Sequence, residues 1–262
     1  MGENYQVVGN AAPVVDASTG RIWVPFCLNN EVVYISYSDD DGVTWSTPVF
    51  MPHLTLPDWK WVGLGPPAGI QLSSGRMLIP SYHTNLIKGD GEMSHGHTIY
   101  SDNHGVDWAI GSERFGDPYL TNECQAVELK NGSVLINART ALPRRVQVLS
   151  HDGGLTFGDA YVVPGLTEPL EGCEGSLVRD PVRNILYFSD PNNASLVRQN
   201  MTVLKSVDEG QSWSALATID VDAVSYSALQ VHPDGGLSLL YERSNSKELI
   251  FDPDEIVYYR VL

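Results

Sequence analysis

The residues able to do chemistry together begin in the stretch 122–139, Asn-Glu-Cys-Gln-Ala-Val-Glu-Leu-Lys-Asn-Gly-Ser-Val-Leu-Ile-Asn-Ala-Arg. Its pattern predicts a β-hairpin: an apolar strand over 125–129, a Lys130-Asn131-Gly132 turn able to take positive φ, and a returning strand over 133–137. Antiparallel pairing puts the start of the first strand beside the end of the second, so Glu123 and Arg139 share one rim. The same logic applied to the other strands brings Arg198, Tyr226, Glu242, Asp58 and His83 to that rim. Two guanidiniums aimed at one place point to an anionic group held bidentately. Each residue also has a plainer reading. Glu123 and Arg139 read as an ordinary ion pair across a hairpin, Arg198 as a solvated loop charge, and Tyr226 as packing. Glu242 is as readily structural as functional, and the nearby Arg144 and Arg145 read as solvated.

The elements that must position these residues are strands. Helical periodicity is nearly absent, and short apolar runs alternate with Gly, Asp, Asn and Pro, so the chain reads as all-β. A short motif recurs: Ser38-x-Asp40-x-Gly42-x-Thr44-Trp45, Ser150-x-Asp152-x-Gly154-x-Thr156-Phe157, Ser206-x-Asp208-x-Gly210-x-Ser212-Trp213, and a degenerate Ser101-x-Asn103-x-Gly105-x-Asp107-Trp108. The intervals of 63, 49 and 56 residues are the size of propeller blades. Each unit reads as four strands: 13–15, 21–28, 32–38 and 43–49; 69–72, 76–83, 97–101 and 107–111; 125–129, 133–139, 145–150 and 155–160; 176–179, 185–190, 201–206 and 212–218. A fifth unit has 227–231, 236–243 and 256–261. The motif falls between third and fourth strands, where Asp accepts backbone N–H groups, Gly takes positive φ and the aromatic packs between sheets. That places it at the edge opposite Glu123 and Arg139, as a structural turn.

The 262 residues are read as one domain spanning 1–262, long enough to bury a sizeable core. A formal charge of −16 argues against nucleic acid and against anionic membrane surfaces. An anionic ligand would be repelled at long range and would need the local basic cluster. No apolar run is long enough to span a membrane, and the first residues lack the pattern of a signal peptide, which leaves location open. Three cysteines are too few and too odd in number for a disulfide framework. Cys124 and Cys173 read as small buried fillers. His83, His95 and His97 lack tight ligand spacing, so no metal and no cofactor is expected.

The sequence resembles the sialidases (exo-α-neuraminidases) over essentially its whole length. The resemblance rests on the four Asp boxes, the Asn-Glu-Cys-Gln…Asn-Ala-Arg hairpin, Gly172-Cys-Glu-Gly-Ser176, Tyr226-Ser-x-Leu-Gln230, Gly9-Asn-x-Ala-Pro13 and Leu240-Tyr-Glu242. It implies a β-propeller of the six-bladed type, here with about five four-stranded blades in an incomplete or open ring. It implies sialylated glycans as partners and release of terminal sialic acid from glycoproteins, glycolipids and oligosaccharides with retention. By this resemblance Tyr226 matches the nucleophile and Glu123 the carboxylate that takes its proton. Arg139 and Arg198 match two of three arginines that hold the substrate carboxylate, and Glu242 the acid that steadies the first arginine.

The chain departs from the family pattern at its start. The Phe/Tyr-Arg-Ile-Pro motif of the first arginine is absent, as is the loop with the general-acid aspartate. Asp58, Asp90 and Glu92 are the available substitutes, though nothing in their setting recommends them. A non-catalytic sialoglycan-binding propeller, an inactive fragment and a scaffold that keeps Asp boxes for folding stay open as alternatives.

Overall fold

A computed structural model of the chain describes residues 6–85, 94–245 and 253–262. Asp90 and Glu92 lie outside the described residues. Four antiparallel sheets follow one another along the chain. The first holds β1 (Val8–Gly9), β2 (Val14–Val15), β3 (Ile22–Leu28), β4 (Val32–Ser38) and β5 (Val49–Phe50). The second holds β6 (Trp61–Leu64), β7 (Ile70–Gln71), β8 (Met77–Thr84), β9 (Ser94–Ser101) and β10 (Ala109–Ile110). The third holds β11 (Cys124–Glu128), β12 (Val134–Ala138), β13 (Val146–Ser150) and β14 (Tyr161–Val162). The fourth holds β15 (Ser176–Asp180), β16 (Ile185–Pro191), β17 (Gln199–Ser206), β18 (Ser214–Val231), β19 (Leu237–Ser244) and β20 (Glu255–Arg260).

This is an all-β propeller arrangement that departs from the strand pattern read in the sequence in several places, most of all where two units join. The fourth and fifth units share β18, a single strand of 18 residues. Its first part pairs with β17 and its second with β19. The two halves still pack face to face like separate blades, through Met201, Val203, Leu229, Leu239 and Tyr241. Apolar layers also join the first sheet to the second, the second to the third, and the third to the fourth. Such burial of alternate strand faces is the main stabilising term of the fold.

In the first two sheets the inner strand is split. β1 and β2 both pair with β3, and β6 and β7 both pair with β8. The gaps hold Pro13 and Pro66-Pro67, which have no N–H to give to a ladder. The inner strands surround a cavity of about 1040 Å³ whose lining includes Gln71, Gln125, Glu128, Arg179 and His232.

The boxes are turns, with the predicted hydrogen bonds. In the first, Ser38 Oγ donates to Asp40 Oδ1 at 2.8 Å, and Asp40 accepts from Thr44 N at 2.8 Å and Thr44 Oγ1 at 2.6 Å. The Trp45 indole donates to Gly42 O at 3.0 Å. These bonds tie up the residues expected to open the fourth strand. Hence the outer strands start later than predicted, at Val49, Ala109 and Tyr161. Trp108 and Trp213 are covered by their surroundings, but Trp45 is 48% exposed.

Asp152 shows the energetic role of a box. It accepts from Ser150 Oγ, Leu155 N, Thr156 N and Thr156 Oγ1. Its carboxyl sits at about 2: burial would raise it, and these bonds outweigh that. Asp152→Ala is expected to cost about 1–2 kcal/mol, toward the lower end for bonds to a charged group because the turn is solvated. Urea denaturation would check it; an unchanged midpoint would contradict the assignment.

Candidate functional site

The site grows from the end of one hairpin. In the β11–β12 pair Cys124 stands opposite Ala138. The ladder runs one step further, with Arg139 N donating to Glu123 O at 2.9 Å and Asn122 N to Arg139 O at 2.9 Å. The two side chains therefore leave the rim together, and Arg139 Nη1 donates to Glu123 Oε2 at 2.6 Å. Tyr226 arrives on β18. Its hydroxyl donates to Glu123 Oε1 and accepts from Arg139 Nη1 at 3.5 Å. Phenol, carboxylate and guanidinium form a closed triangle in which Glu123 is 5% exposed.

Burial and the neighbouring Glu123 charge raise the Tyr226 phenol, against the lowering effect of Arg139. Burial alone would lower the Arg139 guanidinium, but the Glu123 charge outweighs it and raises Arg139. The arginine is therefore a fixed cation, and the phenol is neutral until a base takes its proton.

Arg198 joins from the start of the fourth sheet's third strand. Its Nη1 donates to Ser225 Oγ at 2.8 Å and its Nη2 to Gly172 O at 3.2 Å, and its guanidinium lies 5.7 Å from the Tyr226 ring centre. Arg139 uses the adjacent carbonyl: its Nε and Nη2 donate to Glu171 O at 3.1 and 2.7 Å. One bend of backbone thus holds both arginines. Glu171 and Gly172 there have φ of 68° and 72°. A Cβ on Gly172 would come within 2.5 Å of Arg139 Cγ and Thr140 O, so only glycine fits this turn.

Glu242 sits behind the tyrosine, its Oε2 accepting from Tyr226 N at 3.2 Å. Between them lies a cavity of about 160 Å³ whose walls include Pro66, Pro67, Glu174, Tyr226, Glu242 and Ile256. Glu174 was not singled out from the sequence. It is buried, accepts from Ser227 N at 2.8 Å, and is raised far above the usual carboxylate range by burial. Its signal was its place in Gly172–Ser176, beside the bend that holds the arginines.

The reading of Arg145 as solvated is corrected. Its side chain is 0% exposed, and Nη1 donates to Glu168 Oε2 at 2.9 Å, with Glu168 equally buried. The guanidinium leaves water because Asn137, the Cys173 carbonyl and the Phe188 ring replace its hydration. Arg144 remains exposed. His83 stacks on Trp59 with ring centres 3.9 Å apart and meets His97 at 3.2 Å between Nδ1 atoms; His95 is buried beside them. Asp58 accepts from Asn85 Nδ2 at 2.6 Å. Among the described residues no group of three or more His, Cys, Asp or Glu side chains is arranged to hold a metal ion. Cys27, Cys124 and Cys173 are buried free thiols, and burial pushes the Cys27 thiol to about 12 and the other two higher, so all three are inert packing groups. Among the described residues no helix is long and apolar enough to cross a membrane.

Repeated box turns on stacked sheets, with a tyrosine, a carboxylate and two arginines on the opposite rim, define a class of propeller. A family described as BNR repeat-like domain matches residues 2–239. The chain is 31% identical over 240 residues to Sialidase-2 of Cricetulus griseus, covering 82% of this chain and 62% of that protein. It is 32% identical over 182 residues to Sialidase-4 of Mus musculus, covering 66% of this chain and 36% of that protein. The solved Hadza microbial sialidase Hz136 superposes with a TM-score of 0.82 at 26% identity, covering 97% of this chain and 52% of that one. The chain belongs to the sialidase family. It spans less than two thirds of the length of each of these relatives.

Proposed function

We propose that this chain is a glycoside hydrolase that releases terminal sialic acid from glycoproteins, glycolipids and oligosaccharides through a tyrosine nucleophile, with retention. The observation that carries the reading is the Tyr226 hydroxyl donating to Glu123 while Arg139 holds the same carboxylate. The anomeric carbon of sialic acid bears a carboxylate, so an anionic Asp or Glu nucleophile would be repelled there. A neutral phenol avoids that repulsion but needs a base, and a tyrosine nucleophile is a known exception among glycosidases. As the Tyr226 oxygen bonds to the anomeric carbon, its proton passes to Glu123 and the bond to the aglycone breaks. Water then attacks the same carbon and releases a proton to solvent, while protonated Glu123 returns its proton to the departing Tyr226 oxygen, so carboxylate and phenol are both regenerated. Arg139 and Arg198 hold the sugar carboxylate, and Glu242 supports the Tyr226 backbone. A binding propeller needs the arginines but not the Tyr226–Glu123 hydrogen bond.

The test is turnover of an aryl sialoside, whose leaving group departs as a phenolate with little acid help, followed by NMR of the first sugar anomer released. Retention requires the α-anomer first; the β-anomer first would sink the tyrosine mechanism. No turnover from a folded chain would leave the binding reading. Arg198→Met is expected to raise KM at least about tenfold, matching a lost charge-assisted contact of about 1.5–3 kcal/mol. Steady-state kinetics would show it, and an unchanged KM would remove Arg198 from the carboxylate site.

A further inference from the structure

We infer that the buried Arg145–Glu168 pair is the positioning device that fixes the backbone bend aiming both arginines of the site. The inference rests on Arg139 and Arg198 as the anion-holding groups, and it deepens that reading.

Both side chains are 0% exposed. Taking two ions out of water costs several kcal/mol each, so such a pair persists where its geometry and remaining hydrogen bonds compensate. Here they do. Arg145 Nε donates to Asn137 Oδ1 at 2.7 Å, and Nη1 donates to both Glu168 Oε2 and Cys173 O, the latter at 2.7 Å. Its guanidinium lies 5.1 Å from the Phe188 ring centre. Glu168 Oε1 accepts from Thr140 N at 3.0 Å, and Cys173 N approaches Oε2 at 3.5 Å.

These contacts grip both ends of one segment. Glu168 is at its start and Cys173 at its end, and Thr140 directly follows Arg139. Between the grips lie the Glu171 and Gly172 carbonyls that receive Arg139 and Arg198. Two further bonds close the segment: Gly172 N donates to Pro169 O at 2.9 Å and Leu170 N to Ser195 O at 3.0 Å. An apolar pair of equal volume would fill the space but could not satisfy Thr140 N and the Cys173 N–H and carbonyl, which would be left unpaired in the interior. The ionic pair therefore sets the bend, and the bend sets the spacing of the two guanidiniums. Arg145 and Glu168 act through that bend and not on the substrate.

The test is arginine modification by phenylglyoxal at pH 8, mapped by mass spectrometry, in the wild type, Glu168→Gln and the milder Asn137→Ala. Arg139 and Arg179 are equally covered, at 17% and 16% side-chain exposure, so Arg179 reports general loosening, and exposed Arg144 reports reagent strength. Positioning requires Arg139 to react at least tenfold faster in Glu168→Gln, and measurably faster in Asn137→Ala, with Arg179 and Arg144 unchanged. It also requires inhibition by N-acetylneuraminate to weaken at least tenfold in Glu168→Gln. Unchanged Arg139 reactivity in a folded variant overturns the inference, as does a parallel rise at Arg179. Failure of both variants to fold assigns the pair to stability alone and overturns it too. A wild type that neither turns over nor binds sialosides defeats the functional reading, while the modification rates still decide the clamp.

Discussion

Tyr226→Phe is expected to lower turnover of an aryl sialoside by at least about 10³-fold, as removal of a covalent nucleophile does elsewhere. The substitution deletes one oxygen. Glu123 loses a proton donor and keeps Arg139 at 2.6 Å, so no buried charge is left uncompensated. The ring stays in place near Arg198. Stability is therefore expected to change little, and KM less than kcat, because the carboxylate contacts do not involve the phenol oxygen. Glu123→Gln should lower turnover by about 10²–10⁴-fold, since it removes the proton acceptor, and it also takes away the charge partner of Arg139. Single-turnover kinetics with mass spectrometry of the intact chain would show a sugar adduct in the wild type and none in the phenylalanine variant. More than a tenth of wild-type turnover in Tyr226→Phe would exclude Tyr226 as the nucleophile.

Thermal stability is expected to fall as pH rises above about 6.5, and the cause lies in carboxyls that the fold keeps protonated. Burial raises Glu174 and Asp190 far above the usual range; Glu168, raised to about 7, is paired with Arg145 and is not counted among them. The unfolded chain releases these protons near pH 4, so the native state binds more protons through neutral pH. The stability they contribute is full below the unfolded value and declines as pH rises toward the folded one. The buried histidines act in the opposite sense. Burial lowers His83 to about 4 and also lowers His95 and His97, so the unfolded chain takes up protons below about 6.5 and acid withdraws their stability. The two groups oppose each other between about pH 4.5 and 6.5, and only the carboxyls act above it. Each native-bound proton gives a slope of about 1.4 kcal/mol per pH unit. With Glu174 and Asp190 both raised by burial, unfolding free energy and Tm should fall as pH rises above 7. Calorimetry at pH 6, 7 and 8 measures this, and the double variant Glu174→Gln, Asp190→Asn should flatten the trend. A wild-type Tm that rises over that range would show that these carboxyls ionise in the native state.

The fold was legible where short-range chemistry decides it. Box turns need Gly at positive φ and an Asp two residues after Ser, and Asn131-Gly132 marks a hairpin, so repeat, register and rim could be read from neighbouring residues. The juxtaposition of Glu123 and Arg139 followed from that register. What was not legible depends on distant partners. Arg145 reads as solvated because Glu168 lies in a Pro-flanked loop 23 residues on and Phe188 on the next sheet. The continuity of β18 is hidden because Asp220-Val-Asp222 looks like a turn. The late start of the outer strands escaped notice because propensity says nothing of Thr44 being tied to Asp40.

The shared strand β18 has a consequence for where this chain tolerates change. In a protein of repeated units, inserted segments and new termini are best accepted at exposed joints where little backbone is paired. Between the fourth and fifth units there is no such joint. Ala223 stands opposite Gln199 on one side and Ser244 on the other, three residues before Tyr226. Tyr226 already sits in a register irregularity between Val224 and Ser227, and one further residue inserted there would displace its ring from Glu123. Sequence variation should therefore gather at hairpin tips such as Asn131-Gly132, and a permuted chain is better opened there than between the last two units.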